Sequence, residues 1–147
     1  MRVAHIYAQL SSCKRRKVGC VIVKDNSIIS IGYNGTVPGE DNCCEDEMGK
    51  TKLSTIHAED NALRKLTCST ISAEGGVMFL TCTPCILCAP RIVAAGIKEV
   101  YYDDFYSSME GVEYLERNNI KIEQFKEGAG TFGDGSMYFA RYSDEQQ

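Results

Sequence analysis

Apolar and polar residues follow patterns that change from one segment of the chain to the next. Residues 2–11 mix the two kinds as a short helix does, and two runs rich in β-branched residues follow within residues 18–33. The turn-forming residues Asp25, Asn26 and Ser27 separate these two runs. The pattern therefore predicts an opening helix followed by a β-hairpin.

The second half of the chain alternates predicted helices with predicted strands. Residues 34–55 contain several glycines and acids and little periodicity, which predicts a long loop, and loops of that length are usually functional or mobile. The predicted order after this loop is helix, strand, helix, strand, helix and strand, over residues 56–67, 77–81, 85–95, 98–102, 109–118 and 121–125. This alternation is typical of an α/β layered domain.

The size and composition of the chain indicate one soluble domain. Its 147 residues are typical of a single core, and its hydrophobic and charged fractions of 44% and 24% are those of soluble proteins. No apolar run approaches the ~20 residues that cross a bilayer, and the first residues lack a secretory signal. We expect a single domain over residues 1–147, cytoplasmic or in the host cytoplasm if viral, with no membrane partner and a mobile glycine-rich, acidic tail from about residue 128.

The eight cysteines indicate thiols and metal ligands, because the chain shows no export signal that would favour a disulfide framework. Cys20 and Cys82 fall in or beside predicted strands, where a free cysteine is usually a small core residue. Cys85 and Cys88 instead form a C-x-x-C pair, whose spacing places both sulfurs over one helix turn. This pair is the stronger metal-binding candidate.

Three residues offer the donor atoms that zinc prefers. His57 supplies an imidazole, and Cys85 and Cys88 supply thiolates. Three protein ligands leave the fourth tetrahedral position open to water, as in catalytic zinc sites. Pro84 suits the entry to the helix predicted from residue 85, because it has no amide hydrogen to leave unsatisfied. The sequence therefore predicts a catalytic zinc site.

Glu59 is the predicted general acid and base of this site. Zinc lowers the pKa of a bound water from about 15.7 to about 7, and a nearby carboxylate can accept and redeliver the proton. Glu59 lies two residues after His57, so in a regular helix the two side chains would point about 200° apart around the axis. The prediction therefore depends on both residues lying at the first turn, where this restriction is weaker.

The charge of the chain argues against a polynucleotide partner. Its net charge is -4, whereas proteins that bind nucleic acid usually carry a basic face that neutralises phosphates. A single nucleotide needs only a local cluster, and the basic segment, residues 14–17 (KRRK), supplies one. The alternative for this segment is a solvated turn before the first strand.

The string H-A-E at residues 57–59, followed by P-C-I-L-C at residues 84–88, resembles the signature of the cytidine and deoxycytidylate deaminase superfamily. The resemblance implies a three-layer α-β-α fold with a central mixed sheet of about five strands. It also implies that Glu59 protonates N3 of cytosine and helps to expel ammonia. By the same resemblance, the Ala58 amide holds the pyrimidine carbonyl, and the Thr83 carbonyl region contacts the leaving amine.

Further strings resemble deoxycytidylate deaminases in particular: SCKRRKVG at 12–19, GYNG at 32–35 and HAEDNA at 57–62. The similarity extends over about residues 8–125. It implies hydrolysis of dCMP to dUMP and ammonia, which supplies dUMP for thymidylate synthesis; a bifunctional dCMP/dCTP deaminase is the alternative. It also places Asn34 against the deoxyribose or an adjacent nucleotide. The phosphate is expected on the basic segment, because the forked guanidinium groups of Arg15 and Arg16 pair with phosphate oxygens.

The same resemblance implies regulation and assembly. Family members are commonly homohexamers that dCTP activates and dTTP inhibits, with Mg²⁺ on the triphosphate. The effector site is expected around Arg15, Arg16, Asn34 and Gly35. We therefore expect dCMP, dCTP and dTTP as small-molecule partners and further copies of this chain as protein partners.

Some members of the family hold a second, structural zinc ion. Cys13, Cys43 and Cys44 resemble part of its ligand set, which makes Cys13 and Cys43 the candidate residues here. The chain has two histidines, and His57 is already assigned to the catalytic site. Since a fourth ligand is missing or unusual, the alternative is that these cysteines are loop thiols.

Two other functions use the same residues. In a noncatalytic zinc-binding interaction module, Glu59 would be a surface residue of its helix. In a deaminase that edits tRNA or DNA, the zinc site would be accompanied by a basic groove and stacking aromatic residues. The acidic chain contains no tryptophan, which favours a free nucleotide as the substrate.

Overall fold

A five-stranded β-sheet lies at the centre of the fold. The computed structural model describes residues 1–125, so the predicted tail lies outside the described residues. The elements are α1 (Arg2–Ala8), β1 (Gly19–Lys24), β2 (Ser27–Tyr33), α2 (Ala58–Thr67), β3 (Val77–Cys82), α3 (Ala89–Ala94), β4 (Glu99–Asp104), α4 (Glu110–Arg117) and β5 (Lys121–Gln124). The predicted order of helices and strands is confirmed. Within residues 1–125, none of the four helices has the length and apolar character needed to cross a bilayer.

The strands are arranged in the order β2-β1-β3-β4-β5. β1 pairs antiparallel with both β2 and β3, whereas β3, β4 and β5 run parallel to one another. Asp25 and Asn26 connect β1 to β2 with positive φ angles of 49° and 57°. Such angles are favourable in the tight hairpin turns whose twist matches that of the strands. The predicted hairpin and the mixed sheet are confirmed.

Helices cover the sheet on both faces. Alternate side chains of the central strands pack with α2, α3 and α4 on one face, in a cluster that includes Ile22, Met78 and Val100. The intervening side chains, among them Phe79 and Tyr101, pack near α1 on the other face. This alternation buries the sheet from two sides. It gives the three layers that the sequence predicted.

Helix α2 packs closely on β2. Gly32 permits this approach, because a Cβ atom there would lie 2.1 Å from the Ala58 carbonyl oxygen. The Ser30 hydroxyl donates to the Ala62 carbonyl oxygen at 2.6 Å, and the Asn61 side-chain amide donates to the Tyr33 carbonyl oxygen at 2.7 Å. These contacts fix the first turn of α2 relative to the sheet.

Helix α3 begins later than the pattern predicted. Residues 85–88 form a turn, in which the Cys88 N–H donates to the Cys85 carbonyl oxygen at 3.1 Å, and the helix itself covers Ala89–Ala94. Pro90 lies in its first turn. A helix from residue 85 would place Pro90 in the interior, where proline lacks the amide hydrogen and its ring clashes with the preceding turn. Pro84 therefore precedes a turn and does not open the helix.

A disulfide joins Cys13 to Cys44 and thereby links the basic segment to the loop of residues 34–55. The Glu45 carboxylate supports this link by accepting the N–H groups of Lys14 and Arg15 at 2.9 Å each. The prediction of thiols and metal ligands is therefore wrong for Cys13 and Cys44. Sequence patterns could not pair them, because they lie 31 residues apart on opposite sides of the β1–β2 hairpin, and only the fold brings the two segments together.

Candidate metal centre and active site

Three donor atoms predicted to bind metal converge at one point. His57 Nδ1 lies 3.4 Å from Cys85 Sγ and 3.3 Å from Cys88 Sγ, and all three donors lie within 4.8 Å of one another. His57 is the N-cap of α2, while the cysteines belong to the turn before α3. Adjacent helix starts thus bring together residues separated by about 30 positions.

The spacing of these donors fits zinc. Bonds of about 2.3 Å to sulfur and about 2.0 Å to nitrogen, at tetrahedral angles, separate the two donor atoms by about 3.5 Å. The observed separations of 3.4 Å and 3.3 Å are close to this value. A set of one imidazole and two thiolates is also the donor chemistry of catalytic zinc sites with an open fourth position.

Hydrogen bonds among the three donor groups shift their pKa values in different directions. Hydrogen bonding to Cys88, helped by His57, lowers the pKa of Cys85 to about 4, so this group is a thiolate at neutral pH. The same hydrogen bond and burial raise the pKa of Cys88. Hydrogen bonding to Cys85 also raises the pKa of His57. A bound cation takes the place of these shared protons, because metal ligands must be deprotonated.

Glu59 lies beside the metal centre in the first turn of α2. Its side chain is 5% exposed, and burial raises its pKa to about 7. His57 precedes the helix with an extended ψ of 158°, so the helical rotation does not separate the two side chains. Both residues line one cavity with a volume of about 270 Å³. A carboxyl group with this pKa can give and take a proton near neutral pH.

The residues predicted to contact the substrate, its phosphate or the effector line this cavity, with one exception. Asn34, Ala58 and Thr83 all line the cavity. The Asn34 side chain also binds backbone, because its oxygen accepts the Val18 N–H at 2.8 Å and its nitrogen donates to the Arg16 carbonyl oxygen at 2.8 Å. Asn34 therefore supports the basic segment as well as facing the cavity.

The exception, Gly35, forms a backbone bridge instead. It pairs with Ile56, donating its N–H at 3.0 Å and accepting the Ile56 N–H at 2.8 Å. Ile56 immediately precedes the metal donor His57. Gly35 thus fixes the backbone just before α2. No described contact connects Gly35 to a nucleotide site.

The basic segment reaches the cavity through Arg15 and Arg16. The Arg16 guanidinium donates to the Asp104 carboxylate at 3.1 Å and lies 5.0 Å from the centre of the Tyr106 ring. Positive charge therefore lies at the same cavity as the metal donors. Arg16 is half-buried, whereas the other residues of the segment are exposed, so the phosphate-binding role of the segment stays a prediction beside the solvated turn.

Several residues of the cavity wall were not predicted. Cys82 is buried as expected of a core residue but also lines the cavity, where burial and the nearby Glu59 raise its pKa to about 12. Thr55, Tyr106 and Ser107 line it as well. Tyr106 follows the carboxyl end of a parallel strand, a usual position for ligand-binding residues, and that rule could have identified it.

The predicted second metal set is not assembled in residues 1–125. Cys13 is bonded to Cys44, and a disulfide sulfur has no thiolate to offer a metal. The Cys43 thiol donates to the Glu45 carbonyl oxygen at 3.3 Å. Within this part of the chain, the grouped metal donors are His57, Cys85 and Cys88. A second zinc ion on Cys13 and Cys43 stays a prediction, and it would require reduction of the Cys13–Cys44 disulfide.

Comparison with known proteins identifies the family. A family model described as the cytidine and deoxycytidylate deaminase zinc-binding region matches residues 1–103, which include the three metal donors and Glu59. The chain belongs to the cytidine and deoxycytidylate deaminase family. Its membership confirms the resemblance, the fold class and the class of enzyme that the sequence predicted, and it supports Zn²⁺ as the metal of the site.

Solved and curated deaminases resemble the chain over most of its length. The dCMP deaminase of cyanophage S-TIM5, solved with dCMP and dUMP, aligns with a TM-score of 0.82 and 41% identity over 84% of this chain and 92% of its own. The ComE operon protein 2 of Bacillus subtilis is 34% identical over 128 residues, covering 84% of this chain and 68% of its own length. The deoxycytidylate deaminase of Saccharomyces cerevisiae is 34% identical, but the match spans 43% of that longer protein.

Proposed function

We propose that the chain hydrolyses dCMP to dUMP and ammonia and so supplies dUMP for thymidylate synthesis. The observation that carries this proposal is one cavity lined by the metal donors His57 and Cys85, the buried carboxyl group of Glu59 and the cationic side chains of Arg15 and Arg16. The S-TIM5 dCMP deaminase, which binds dCMP and dUMP, supports the choice of substrate.

The residues of the site divide the reaction between them. A zinc ion on His57, Cys85 and Cys88 would supply Lewis acidity and lower the pKa of a bound water to about 7. Glu59 takes the proton from the attacking water and delivers it to N3 of cytosine. It then transfers a proton to the amine, so that the C4–N4 bond breaks and ammonia leaves while the water oxygen remains on C4.

In this proposal, backbone groups at the start of α2 and just after β3 orient the base. Ala58 is the first residue of α2, and the N–H groups of a first helical turn have no partner within the helix. Its amide can therefore hold the pyrimidine carbonyl oxygen. The Thr83 carbonyl accepts from the amino group, and Asn34 bonds the deoxyribose through the second hydrogen of its amide.

Arg15 and Arg16 bind the 5′-phosphate in this proposal. The chain carries a net charge of -4, so the basic segment supplies a local positive potential that most of the surface does not. Guanidinium groups bind phosphate oxygens through paired hydrogen bonds. A nucleotide should therefore bind more tightly than the corresponding nucleoside.

Replacing Glu59 by glutamine tests the assignment of the general acid and base. We expect kcat to fall by about 10²- to 10⁴-fold while zinc content stays unchanged, because glutamine keeps the shape but carries no transferable proton. Asp60→Asn is the matched control: Asp60 is the next residue of α2, and its carboxylate pairs with Arg91 at 2.9 Å. A Glu59→Gln variant with full activity would favour the noncatalytic zinc-binding module.

A substrate panel tests the specificity. Ammonia release is measured with dCMP, CMP, cytidine, dCTP and a cytosine-containing oligonucleotide, with and without a chelator. We expect zinc-dependent release from dCMP. Release from dCTP at a comparable rate would identify the bifunctional dCMP/dCTP deaminase, and release from the oligonucleotide alone would identify an editing enzyme.

Regulation and assembly form part of the same proposal. We propose a homohexamer that acts in the cytoplasm, of the host if viral, through one deaminase domain over residues 1–147. dCTP with Mg²⁺ would activate it and dTTP would inhibit it, at a site around Arg15, Arg16, Asn34 and Gly35. If neither triphosphate changes the shape or midpoint of the dCMP saturation curve, this regulation is absent.

A further inference from the structure

Tyr106 is fixed to the end of β3 by two hydrogen bonds. The Thr83 hydroxyl accepts the Tyr106 N–H at 2.9 Å and donates to the Tyr106 carbonyl oxygen at 3.1 Å. The Thr83 N–H also donates to the Asp104 carbonyl oxygen at 2.9 Å. The backbone that carries the Tyr106 ring is therefore held against the active-site cavity.

The Arg16 guanidinium lies over the Tyr106 ring. The guanidinium carbon lies 5.0 Å from the ring centre, within the range of about 6 Å for a cation–π contact. Such a contact is electrostatic and needs no hydrogen bond, so it does not use up the five N–H groups of the guanidinium. Both Tyr106 and Arg16 line the cavity that contains Glu59.

Asp104 is the second partner of Arg16 and contributes less to its position. The two charged groups lie 3.1 Å apart, but the Asp104 side chain is 68% exposed, so solvent screens the ion pair. Asp104 also occupies one N–H group that a phosphate could use, and Cys82 lies within hydrogen-bonding reach of the same guanidinium. The ring is the partner of Arg16 that uses none of its N–H groups.

We propose that Tyr106 is a positioning residue that selects a 5′-phosphorylated substrate through Arg16. The ring holds the guanidinium group by its charge, and N–H groups of Arg16 then bond the phosphate oxygens. An arginine side chain held in advance loses less conformational entropy on binding than a free one. This inference rests on the proposed function, because it presumes that a phosphorylated nucleotide enters the cavity.

Variants of Tyr106 test the inference in the zinc-loaded protein. The measured quantity is the ratio of kcat/KM for dCMP to kcat/KM for deoxycytidine, and the Kd of dUMP against that of deoxyuridine gives the same comparison for binding. We expect Tyr106→Leu to lower both preferences for the nucleotide about fivefold. Tyr106→Phe is the matched control and should keep both, because phenylalanine retains the ring and loses only the hydroxyl.

A double-mutant cycle separates positioning from direct contact. In an Arg16→Ala background, Tyr106→Leu should have no further effect on either preference, because the ring acts through Arg16. Arg16→Lys should also lower both preferences, since lysine keeps the charge but lacks the forked N–H groups that pair with phosphate. Tyr106→Met repeats the test if Tyr106→Leu does not fold, because methionine is also apolar and has no ring.

Each contrary result overturns the inference. An unchanged preference in Tyr106→Leu or Arg16→Ala would show that the pair does not select the phosphate. An equal loss in Tyr106→Phe would assign the effect to the hydroxyl, and a full Tyr106→Leu effect in the Arg16→Ala background would show direct contact. If the parent protein releases no ammonia from dCMP or deoxycytidine, the proposed function itself fails; if it does and the cycle shows no coupling, only the role of Tyr106 fails.

Discussion

Replacing Gly32 by alanine would show whether the contact between β2 and α2 sets the geometry of the metal centre. A Cβ atom at Gly32 would lie 2.1 Å from the Ala58 carbonyl oxygen and 2.6 Å from the Ala62 nitrogen. Real contacts of this kind essentially never fall below 3.0 Å, so α2 would have to withdraw from β2 by about 0.9 Å. The obstructing atoms belong to the helix backbone and cannot rotate away as a side chain would.

A displacement of this size exceeds what the metal centre tolerates. Metal–ligand distances vary by about 0.2 Å, and His57 would move with α2 while Cys85 and Cys88 remain at α3. We expect weaker zinc binding and a kcat/KM for dCMP about 100-fold lower, because Glu59 moves with the same helix. Overpacking should also lower the free energy of unfolding by about 1–3 kcal/mol.

The assay combines zinc content after dialysis against a chelator, kcat/KM and denaturant unfolding. Gly35→Ala is the matched control, because a Cβ atom there meets nothing within 4 Å. Its free energy of unfolding and its zinc content should equal those of the parent protein. If Gly32→Ala keeps its zinc and its stability, or if Gly35→Ala loses as much of either, the packing of α2 on β2 does not set the site.

Two further predictions concern stability. Cys13→Ser removes the disulfide that closes a loop across 31 positions and should lower the free energy of unfolding by about 4 kcal/mol, as measured by denaturant titration; a reductant should have no further effect on the variant. Glu99 accepts hydrogen bonds from Tyr101 and Lys121, which hold its pKa below the usual range. Its stabilisation is therefore present above the unfolded-state pKa and lost as the pH falls through the folded value. Glu99→Gln should cost less than about 1 kcal/mol at pH 7, because the site is exposed, and nothing near pH 2; an equal cost at both pH values would refute the charge-based account.

Local patterns predicted the elements and the chemistry of the site. The hairpin followed from β-branched runs around Asp25 and Asn26, and the structure shows both residues in the connecting turn with positive φ angles. The C-x-x-C spacing brings Cys85 and Cys88 together because residues three apart meet across one turn. The late start of α3 also had a local cause, because Pro90 fits only the first turn of the helix. The prediction of a helix from residue 85 followed the apolar pattern and did not take this proline into account.

The contacts that complete the site depend on residues far apart in the chain. Arg16 meets Asp104 across 88 positions, Thr83 holds Tyr106 across 23, and Cys13 reaches Cys44 across the β1–β2 hairpin. The donor types and their spacing, which are local properties, were determined by the sequence alone. The residues that surround these donors in the cavity wall were decided by the tertiary structure, because the order and spacing of strands in the sheet select which distant loops meet at its edge.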